Sequence, residues 1–524
     1  MRLATLLTGD PSKFRLLFNG REEFMSTDIP ARVRFAPSPT GRTHLGSGRT
    51  ALYNYLLARQ TGGTFILRIE DTDRKRYSPG AEEELLESLH WLGLQWDEGP
   101  DIGGPHAPYH QSRRKDIYQH YARQLVSKGH AYPCFCTEQR LEELRREQQR
   151  RKEPPRYDQT CRRLSPVEAE ERMAAGEPYV IRFKMPQEGT ITVHDLLRGD
   201  ITFENHNLDD YIIVKSDGLA LYHLAAMVDD HLMEITHVIR GSEWLPTFPL
   251  HVHILHAFDW PEPVWAHLSV FLSPSGKGKM SKREKAELAD EHQSIYLTDL
   301  EEMGYLPEAV VNWSALMGWS LDDHTEFFTM EDLIVGFNLD RLNPSPAAIN
   351  FSKLDHFNGL HIRNLSVPEL ASRLKPFFET AGYMVEDEKL LRITPIIQER
   401  IVTLQDAVEI AGFFFEEEVR PVPEELIGKK LTAEESAQAA RRAYEVLATL
   451  PEITPETAEM PLRALADEMG LKAGQLFGIL RVAVTGQKVS PPLFESMAIV
   501  GKKKVLQRIE DAIQALDKMV EAEK

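Results

Sequence analysis

The sequence has few cysteines and no long apolar run. Three cysteines in 524 residues cannot build a disulfide framework, which indicates a reducing compartment, so we expect a cytoplasmic protein. No run of about 18 apolar residues occurs, so no membrane partner is expected. The N-terminus also lacks the apolar segment and cleavage site of a secretory signal. We expect residues 1–28 to be a disordered extension, with a translation start at Met25 as the alternative.

Basic residues are outnumbered by acidic ones, and the formal net charge is -19. This balance argues at first against a nucleic-acid partner, because phosphates attract Lys and Arg. The cations are nevertheless clustered, at 71–76, 145–152, 276–285 and 501–504. An acidic protein with basic stretches can still bind RNA along one groove. At 42% apolar residues, the chain can form several compact units.

A phosphate-binding lysine is missing from the glycine-rich stretch "APSPTGRTHLGSG", residues 36–48. Gly41 and Gly46 are spaced as in a P-loop, but Ser47 and Gly48 follow where that motif has Lys and then Ser or Thr. The stretch fails the GxGxxG pattern as well. A glycine turn that leads into a helix still presents free backbone N–H groups to a phosphate. By itself, His44 could equally be a capping or core histidine.

The order of patterns around this stretch predicts the fold. "RVRFA" (32–36) and "TFILRIE" (64–70) are typical of strands and flank a helical stripe over 44–59, which makes a βαβ unit. A second helix is predicted to begin at Ser78-Pro79. Alternating runs between about 120 and 220 indicate an α+β insert, and "THVIRG" resumes the first texture. We therefore predict an α/β fold, a Rossmann-type parallel sheet split by the insert and followed by all-α C-terminal domains.

This organisation gives five expected units after the N-terminal extension. They are the first Rossmann half (29–120), the α+β insert (121–215), the second half (216–300), a first helical domain (301–375) and a second helical domain (376–524).

A second signature lies in "GKGKMSKREK" (276–285), which alone would indicate only a solvated basic loop. Together, "HLGS" (44–47) and "KMSKR" (279–283) resemble the HIGH and KMSKS signatures of the class I aminoacyl-tRNA synthetases. The stretches "RFAPSPTG", "RIEDTD", "LGLQWDEGP", "VDDHLMEITHVIRG" and "LPEAVVNW" resemble the bacterial glutamyl-tRNA synthetases in particular, from about Ala31 to the end. The resemblance implies that the insert (121–215) binds the tRNA acceptor end, that 301–375 form a stem-contact domain and that 376–524 form an anticodon-binding domain.

The resemblance implies that ATP and an amino-acid carboxylate react in line, helped by positioning and electrostatics. His44, Lys279 and Lys282 are the predicted catalytic residues, because they would stabilise charge on the transferring phosphates. ATP is expected to bring Mg²⁺ with it, without a protein cage for the metal. The predicted ATP-binding residues are Pro37, Thr40, Gly41, His44, Gly46, Ser47, Glu243, Lys279, Met280, Ser281, Lys282 and Arg283.

Glutamate carries two carboxylates and one ammonium, so its pocket needs guanidinium groups and one acid. The resemblance places Arg34, Ser38, Glu70, Tyr222 and Arg240 in that pocket. Glu70 is assigned to the ammonium and Arg240 to the γ-carboxylate.

Zinc is not favoured by the cysteine pattern. Cys134, Cys136 and Cys161 occupy the positions of a structural zinc site in some family members, but Arg163 stands where those members have a histidine. Tyr157 would be an unusual fourth donor, and structural sites need four good ligands.

The expected product is glutamyl-tRNA, made by a monomer through an adenylate. Its RNA partner is tRNA(Glu), with tRNA(Gln) left open, and the anticodon is read by single-stranded recognition to which Arg481 and the lysines at 501–504 are candidate contributors. Three alternatives stay open: a glutaminyl-tRNA synthetase, which usually has "PEPNG" for "PSPTG" and an all-β anticodon region, a truncated relative that modifies a tRNA base, and a non-catalytic RNA-binding relative.

Overall fold

The computed structural model describes residues 30–73, 78–273 and 293–523. The predictions for residues 1–28 and for Lys279, Met280, Ser281, Lys282 and Arg283 therefore lie outside the described residues.

A strand, a helix and a second strand open the fold, as predicted. Strands β1 (Arg32–Phe35) and β2 (Thr64–Leu67) pair in parallel, with Arg34 opposite Ile66. Helix α1 (Leu45–Gln60) crosses between them and buries its apolar stripe, which includes Leu52 and Leu56. Parallel strands need such a crossover because the end of the first strand and the start of the second lie at opposite edges of the sheet.

Helix α2 begins later than the sequence predicts. It spans Ala81–Trp91, and its N-cap is Gly80 at φ 80° rather than Ser78. The backbone N–H of Ser78 donates to Pro39 O, at 3.1 Å. This contact holds Ser78 against the glycine-rich loop. Gly80 is therefore the N-cap, instead of the serine that the local sequence favours.

The insert combines helices with short antiparallel strands. Strands β3, β4 and β7 form one sheet, and β5 and β6 form a hairpin. Its elements are α3 (Lys115–Ser127), β3 (Ala131–Cys134), α4 (Glu138–Arg150), α5 (Pro166–Ala174), β4 (Val180–Phe183), β5 (Thr190–Asp195), β6 (Gly199–Glu204) and β7 (Ile212–Val214).

The second half of the parallel sheet follows the insert. Its elements are α6 (Tyr222–Leu232), β8 (His237–Gly241), α7 (Phe248–Phe258), β9 (Val264–Leu268) and β10 (Phe271–Leu272). Strands β8 and β9 pair in parallel, and the N–H of Thr236, directly before β8, donates to Arg32 O at 2.9 Å. The two strand pairs thus lie side by side with their carboxyl ends at one edge, where ligands bind in open α/β sheets.

The remainder is helical, as predicted, apart from the two-residue strand β11 (Ala347–Ala348), which pairs with β10. The helices are α8 (Leu297–Glu302), α9 (Pro307–Leu316), α10 (Met330–Gly336), α11 (Phe351–Asn364), α12 (Val367–Thr380), α13 (Asp387–Ile397), α14 (Asp406–Ala411), α15 (Ala433–Thr449), α16 (Pro455–Glu468), α17 (Ala473–Thr485), α18 (Leu493–Val500) and α19 (Lys502–Glu523). In the described parts of the chain, no helix has the length and apolar composition to cross a membrane.

The predicted fold class is confirmed by this arrangement. The domain boundaries stay a prediction.

Candidate active site

His44 is the N-cap of α1. It has extended backbone angles, φ −104° and ψ 161°, and its Nδ1 accepts a hydrogen bond from Ser47 N–H at 3.3 Å. Since a backbone N–H can only donate, Nδ1 of a neutral ring carries no proton here. The proton is then on Nε2, which is the nitrogen that could donate to an anionic ligand. The histidine therefore combines a capping role with a predicted chemical one.

Glycine is required at two positions of the loop, and one of them leaves space for this histidine. A Cβ on Gly46 would lie 3.0 Å from Cε1 and 3.1 Å from Nδ1 of the His44 ring, so a side chain there would displace the imidazole. Gly41 has φ 152°, a conformation that other residues rarely adopt. The loop lines a cavity of about 310 Å³. Six residues of the predicted ATP and glutamate sets border that cavity: Pro37, Ser38, Thr40, Gly41, His44 and Ser47.

The described residues on both sides of 274–292 contact the start of α1. On one side, Leu45 N–H donates to Ile295 O at 2.7 Å. On the other, the buried Arg49 donates to Ser269 O and lies over the Phe271 ring, with 3.9 Å from Cζ to the centroid. Another Nη of Arg49 donates to Met317 O at 2.6 Å. Both ends of the segment that carries the second signature are thus attached to the helix of the first.

Arg34 and Glu70 belong to a buried ionic network. Asp230 Oδ1 accepts from Arg34 Nε at 3.0 Å and from Arg68 Nη1 at 2.7 Å. Arg68 also donates to Glu70 Oε1 at 3.1 Å. Burial opposes ionisation of Asp230, but the charges of Arg34 and Arg68 outweigh it and lower the pKa of its carboxyl. The network thus fixes Arg34 and Glu70 through Asp230 and Arg68, two residues that the sequence analysis did not assign to the pocket.

Glu70 has a different electrostatic position from Asp230. Burial raises the pKa of its carboxyl to about 7, against the opposing charges of Arg68 and Arg34. Gln111 Nε2 donates to it only at 3.4 Å. A carboxylate so poorly compensated gains from a cationic ligand group, because such a group would favour its charged form.

Arg240, in β8, is a buried guanidinium with neutral hydrogen-bond partners. Its Nε donates to His267 Nε2 and its Nη2 to His251 Nδ1, both at 2.9 Å, and Nη1 lies 3.5 Å from the Tyr222 hydroxyl. Burial lowers the pKa of His267 to about 4 and that of His251 well below 6.5. Among the described residues Arg240 forms no ion pair. A buried charge without a counter-ion is costly, so this site suits an anionic ligand.

Four residues of the predicted glutamate pocket interact electrostatically: Arg34, Glu70, Tyr222 and Arg240. Burial raises the pKa of Tyr222 to about 12, and the charges of Arg240, Glu70 and Arg34 all contribute to that pKa. Its ring also stacks on Trp244, with centroids 4.0 Å apart.

The buried cluster holds four arginines and three carboxylates, which is one more cation than anion when all are ionised: Arg34, Arg68, Arg114 and Arg240 with Glu70, Asp229 and Asp230. Glutamate, with two carboxylates and one ammonium, carries the complementary charge.

Glu243 lies away from this buried cluster. It is exposed in the short 3-10 helix Ser242–Thr247 that directly follows β8. Its carboxylate folds against Gly241, where a Cβ would collide with it. Because Glu243 follows the carboxyl end of a central strand, it stands at the edge of the sheet where a nucleotide would enter.

The three cysteines form one cluster in the insert, with their Sγ atoms within 4.8 Å of one another. Tyr157 completes the group, because its hydroxyl lies 3.3 Å from Cys134 Sγ and 3.4 Å from Cys136 Sγ. Hydrogen bonds from Cys161 and Tyr157 lower the pKa of the Cys134 thiol, although burial opposes this.

Of the four residues predicted to contact RNA in the C-terminal region, three have intramolecular partners or are partly buried. Lys502 Nζ donates to Ala448 O at 2.8 Å, and Lys504 Nζ pairs with Glu417 at 2.8 Å. Lys503 is exposed in the first turn of α19, and Arg481 has a buried Nε without a hydrogen-bond partner.

The sequence analysis missed the residues that support the pocket. Asp229 and Asp230 are fully or nearly fully buried on α6, and two adjacent acids in the apolar run "LAAMVDDHL" are a signal for buried cations. Arg68, His251 and His267 gave no comparable signal.

Comparison with known proteins places this geometry in a family. Residues 30–356 match the model of "tRNA synthetases class I (E and Q), catalytic domain", and residues 369–513 match "Anticodon binding domain". The glutamate–tRNA ligase of Dehalococcoides mccartyi is 46% identical over 493 residues, which cover 93% of this chain and 99% of the relative. That of Roseiflexus castenholzii is 47% identical, over 93% and 97% of the two chains.

Solved structures agree. The glutamate tRNA ligase of Elizabethkingia meningosepticum, crystallised with its amino acid, has a TM-score of 0.84 at 37% identity and covers 93% of this chain and 100% of its own. The glutamate-tRNA synthetase of Elizabethkingia anophelis has a TM-score of 0.82 at the same identity and coverage. This chain therefore belongs to the class I tRNA synthetases for glutamate and glutamine, and within them to the glutamate–tRNA ligases.

Proposed function

We propose that this chain activates L-glutamate with ATP in the cleft at the carboxyl edge of the parallel sheet, and then transfers the glutamyl group to the 3′ end of tRNA. The observation that carries the proposal is the buried, uncompensated Arg240 beside Arg34 and Glu70. In that cleft Arg240 binds the γ-carboxylate and Glu70 the ammonium, while Ser38 and Tyr222 fix the orientation between them.

The phosphate end of the reaction lies at the start of α1. His44 Nε2–H donates to a phosphate oxygen, and the loop of Thr40, Gly41, Gly46 and Ser47 surrounds the triphosphate. Lys279 and Lys282 stabilise the leaving pyrophosphate. This role is supported by the contacts that both flanks of their segment make with the start of α1. ATP would bring Mg²⁺ with it, and the ion would add positive charge next to the phosphates without a cage of protein ligands.

ATP–pyrophosphate exchange with glutamate, with and without tRNA(Glu), tests the reaction. Exchange that depends on glutamate and is at least tenfold slower with glutamine or aspartate is expected. Absence of exchange with tRNA present would contradict the proposal, and would instead favour the non-catalytic relative. Many relatives in this family need tRNA for the first step, so the tRNA-free reaction alone does not decide.

The RNA partner is tRNA(Glu), and the anticodon-binding helices set whether tRNA(Gln) is accepted too. Comparing aminoacylation of the two purified tRNAs answers that question directly. We expect the protein to act as a monomer, which size-exclusion chromatography with light scattering checks.

We further propose that the cysteine cluster binds one Zn²⁺. Three thiols and the Tyr157 hydroxyl converge, which supplies the fourth donor that position 163 lacks. Structural zinc sites have four ligands in a tetrahedron, mostly thiolates and imidazoles, and the phenol of Tyr157 is the unusual member of this set. About one zinc per chain is expected by elemental analysis, with loss of zinc in C161S and weaker retention in Y157F. Tyr179, which packs against the same cluster, offers the control Y179F. A wild-type protein that neither contains nor takes up zinc would refute this assignment.

A further inference from the structure

Asp195 is a fully buried carboxylate at the end of β5. Its Oδ2 accepts from the backbone N–H of His267 at 3.0 Å and from the ring at Nδ1, at 2.7 Å, while Oδ1 accepts from Leu197 N–H at 3.1 Å. A carboxylate can accept all three contacts, because its two oxygens offer about four lone-pair sites. A buried acid is expensive, so its presence here needs a reason.

The other ring nitrogen of His267 faces Arg240. The Nε–H of an arginine can only donate, so His267 Nε2, which lies 2.9 Å from Arg240 Nε, must be unprotonated. The ring proton is therefore on Nδ1, where Asp195 accepts it. This chain of hydrogen bonds assigns one tautomer to the imidazole without reference to its titration.

We propose that Asp195 and His267 are positioning residues that hold the Arg240 guanidinium in place for the γ-carboxylate of glutamate. Selectivity for the amino acid then depends on a carboxylate supplied by the β5–β6 hairpin, which is sequentially part of the insert. The hairpin is held to the catalytic half, because Leu196 N–H donates to Trp265 O at 2.8 Å. This inference rests on the proposed role of Arg240.

An isosteric amide would break the arrangement. In D195N, an amide oxygen turned toward His267 leaves the amide nitrogen facing the N–H of Leu197. The opposite orientation turns two donor hydrogens toward His267 and favours its other tautomer. Nε2–H would then oppose Arg240 Nε–H, and the guanidinium would have to move.

The decisive measurement is ATP–pyrophosphate exchange in the presence of tRNA(Glu), with separate KM values for glutamate and for ATP. For D195N we expect a KM for glutamate that is about 10- to 100-fold higher, the usual effect of losing a buried hydrogen bond to a charged group, with the KM for ATP unchanged. The same hairpin offers a matched control. His194 Nδ1 and Asp200 Oδ1 lie 2.7 Å apart, both 71% exposed, and D200N should leave both constants unchanged.

A second pair of variants tests the tautomer argument even if D195N folds poorly. In H267Q an amide oxygen can still accept from Arg240, whereas H267L removes the acceptor at similar size. The KM for glutamate should rise more in H267L than in H267Q. In the H267Q background, D195N should cost much less than it does in the wild type.

R240Q separates this inference from the proposed function. If R240Q leaves the KM for glutamate unchanged, the assignment of Arg240 is wrong. If R240Q raises it but D195N behaves like D200N, the positioning role alone is overturned. An equal rise of both KM values in D195N would indicate general damage to the fold and would also overturn it.

Discussion

At the scale of single residues, His44 combines two functions that can be separated experimentally. We expect H44A to lower kcat for adenylate formation about 10²- to 10³-fold, as removal of one preorganised donor to a reacting oxygen does. Binding of tRNA should hardly change, because the proposed role of the histidine is at the nucleotide end of the cleft. The exposed His120, bonded to Gln124 on α3, gives the control H120A. Loss of tRNA binding in H44A would mean that the glycine-rich loop contacts RNA.

We expect Glu70 to make the affinity for glutamate depend on pH. Burial raises its pKa to about 7, so the carboxylate that would attract the ammonium is lost as the pH falls through 7. The KM for glutamate should then rise by about tenfold per pH unit below that value, in proportion to the falling ionised fraction. E70Q should show a high KM with little pH dependence between 5.5 and 8. A wild-type KM that stays constant over this range would refute the assignment, and the KM for ATP provides an internal reference.

The candidate site residues that the sequence predicts lie within contiguous motifs. His44, Glu70 and Arg240 all stand in such stretches, and the structure brings Glu70 and Arg240 near the same side chain, Tyr222, while their roles stay predictions. The supporting residues could not be predicted in the same way. Asp195 meets His267 across 72 residues of chain, and only the packing of the hairpin on β9 brings the two together.

At the scale of elements, the approach of β2 to β1 depends on Gly63. A Cβ at this position would lie 2.6 Å from Ala31 N and 2.7 Å from Ala31 C, which are backbone atoms that cannot yield. We expect G63A to lower the stability by about 1–3 kcal/mol, seen as a lower midpoint in thermal unfolding. In α17, Gly474 has open space around its Cβ position, so G474A should be neutral or stabilising. Equal midpoints for the two variants would contradict this account.

Elements with long patterns were predictable and short ones were not. The apolar stripe of α1 and the β-rich runs of β1 and β2 specify their own conformation. Strand β11 has two residues and exists only because β10 pairs with it. The predicted start of α2 was wrong for a related reason, since the N–H of Ser78 donates to Pro39 in a distant loop and Gly80 is the N-cap.

At the scale of the whole molecule, the cores are separate enough to respond differently to ligands. The sheet and α1 share one apolar cluster, whereas helices α15 to α19 build another, from Leu426 to Leu516. Bound substrates stabilise the part that they contact, by about 2.7 kcal/mol at a concentration of 100 Kd. Hydrogen exchange should therefore slow in α1 and β8 on addition of ATP and glutamate, and stay unchanged in α15 and α17. Uniform protection across both cores would show that they unfold as one unit.

Arg49 links α1 to parts of the chain that lie far away in sequence. It lies about 7 Å along the helix from His44, and it anchors Ser269, 220 residues further along the chain, just before the segment of the second signature. The described flank of the second-signature segment is thus attached to the helix that begins at His44, whatever the length of the chain between them. Insertions or deletions between residues 121 and 189 can therefore accumulate without moving this attachment, whereas the β5–β6 hairpin must keep its place, because it holds Asp195 against His267.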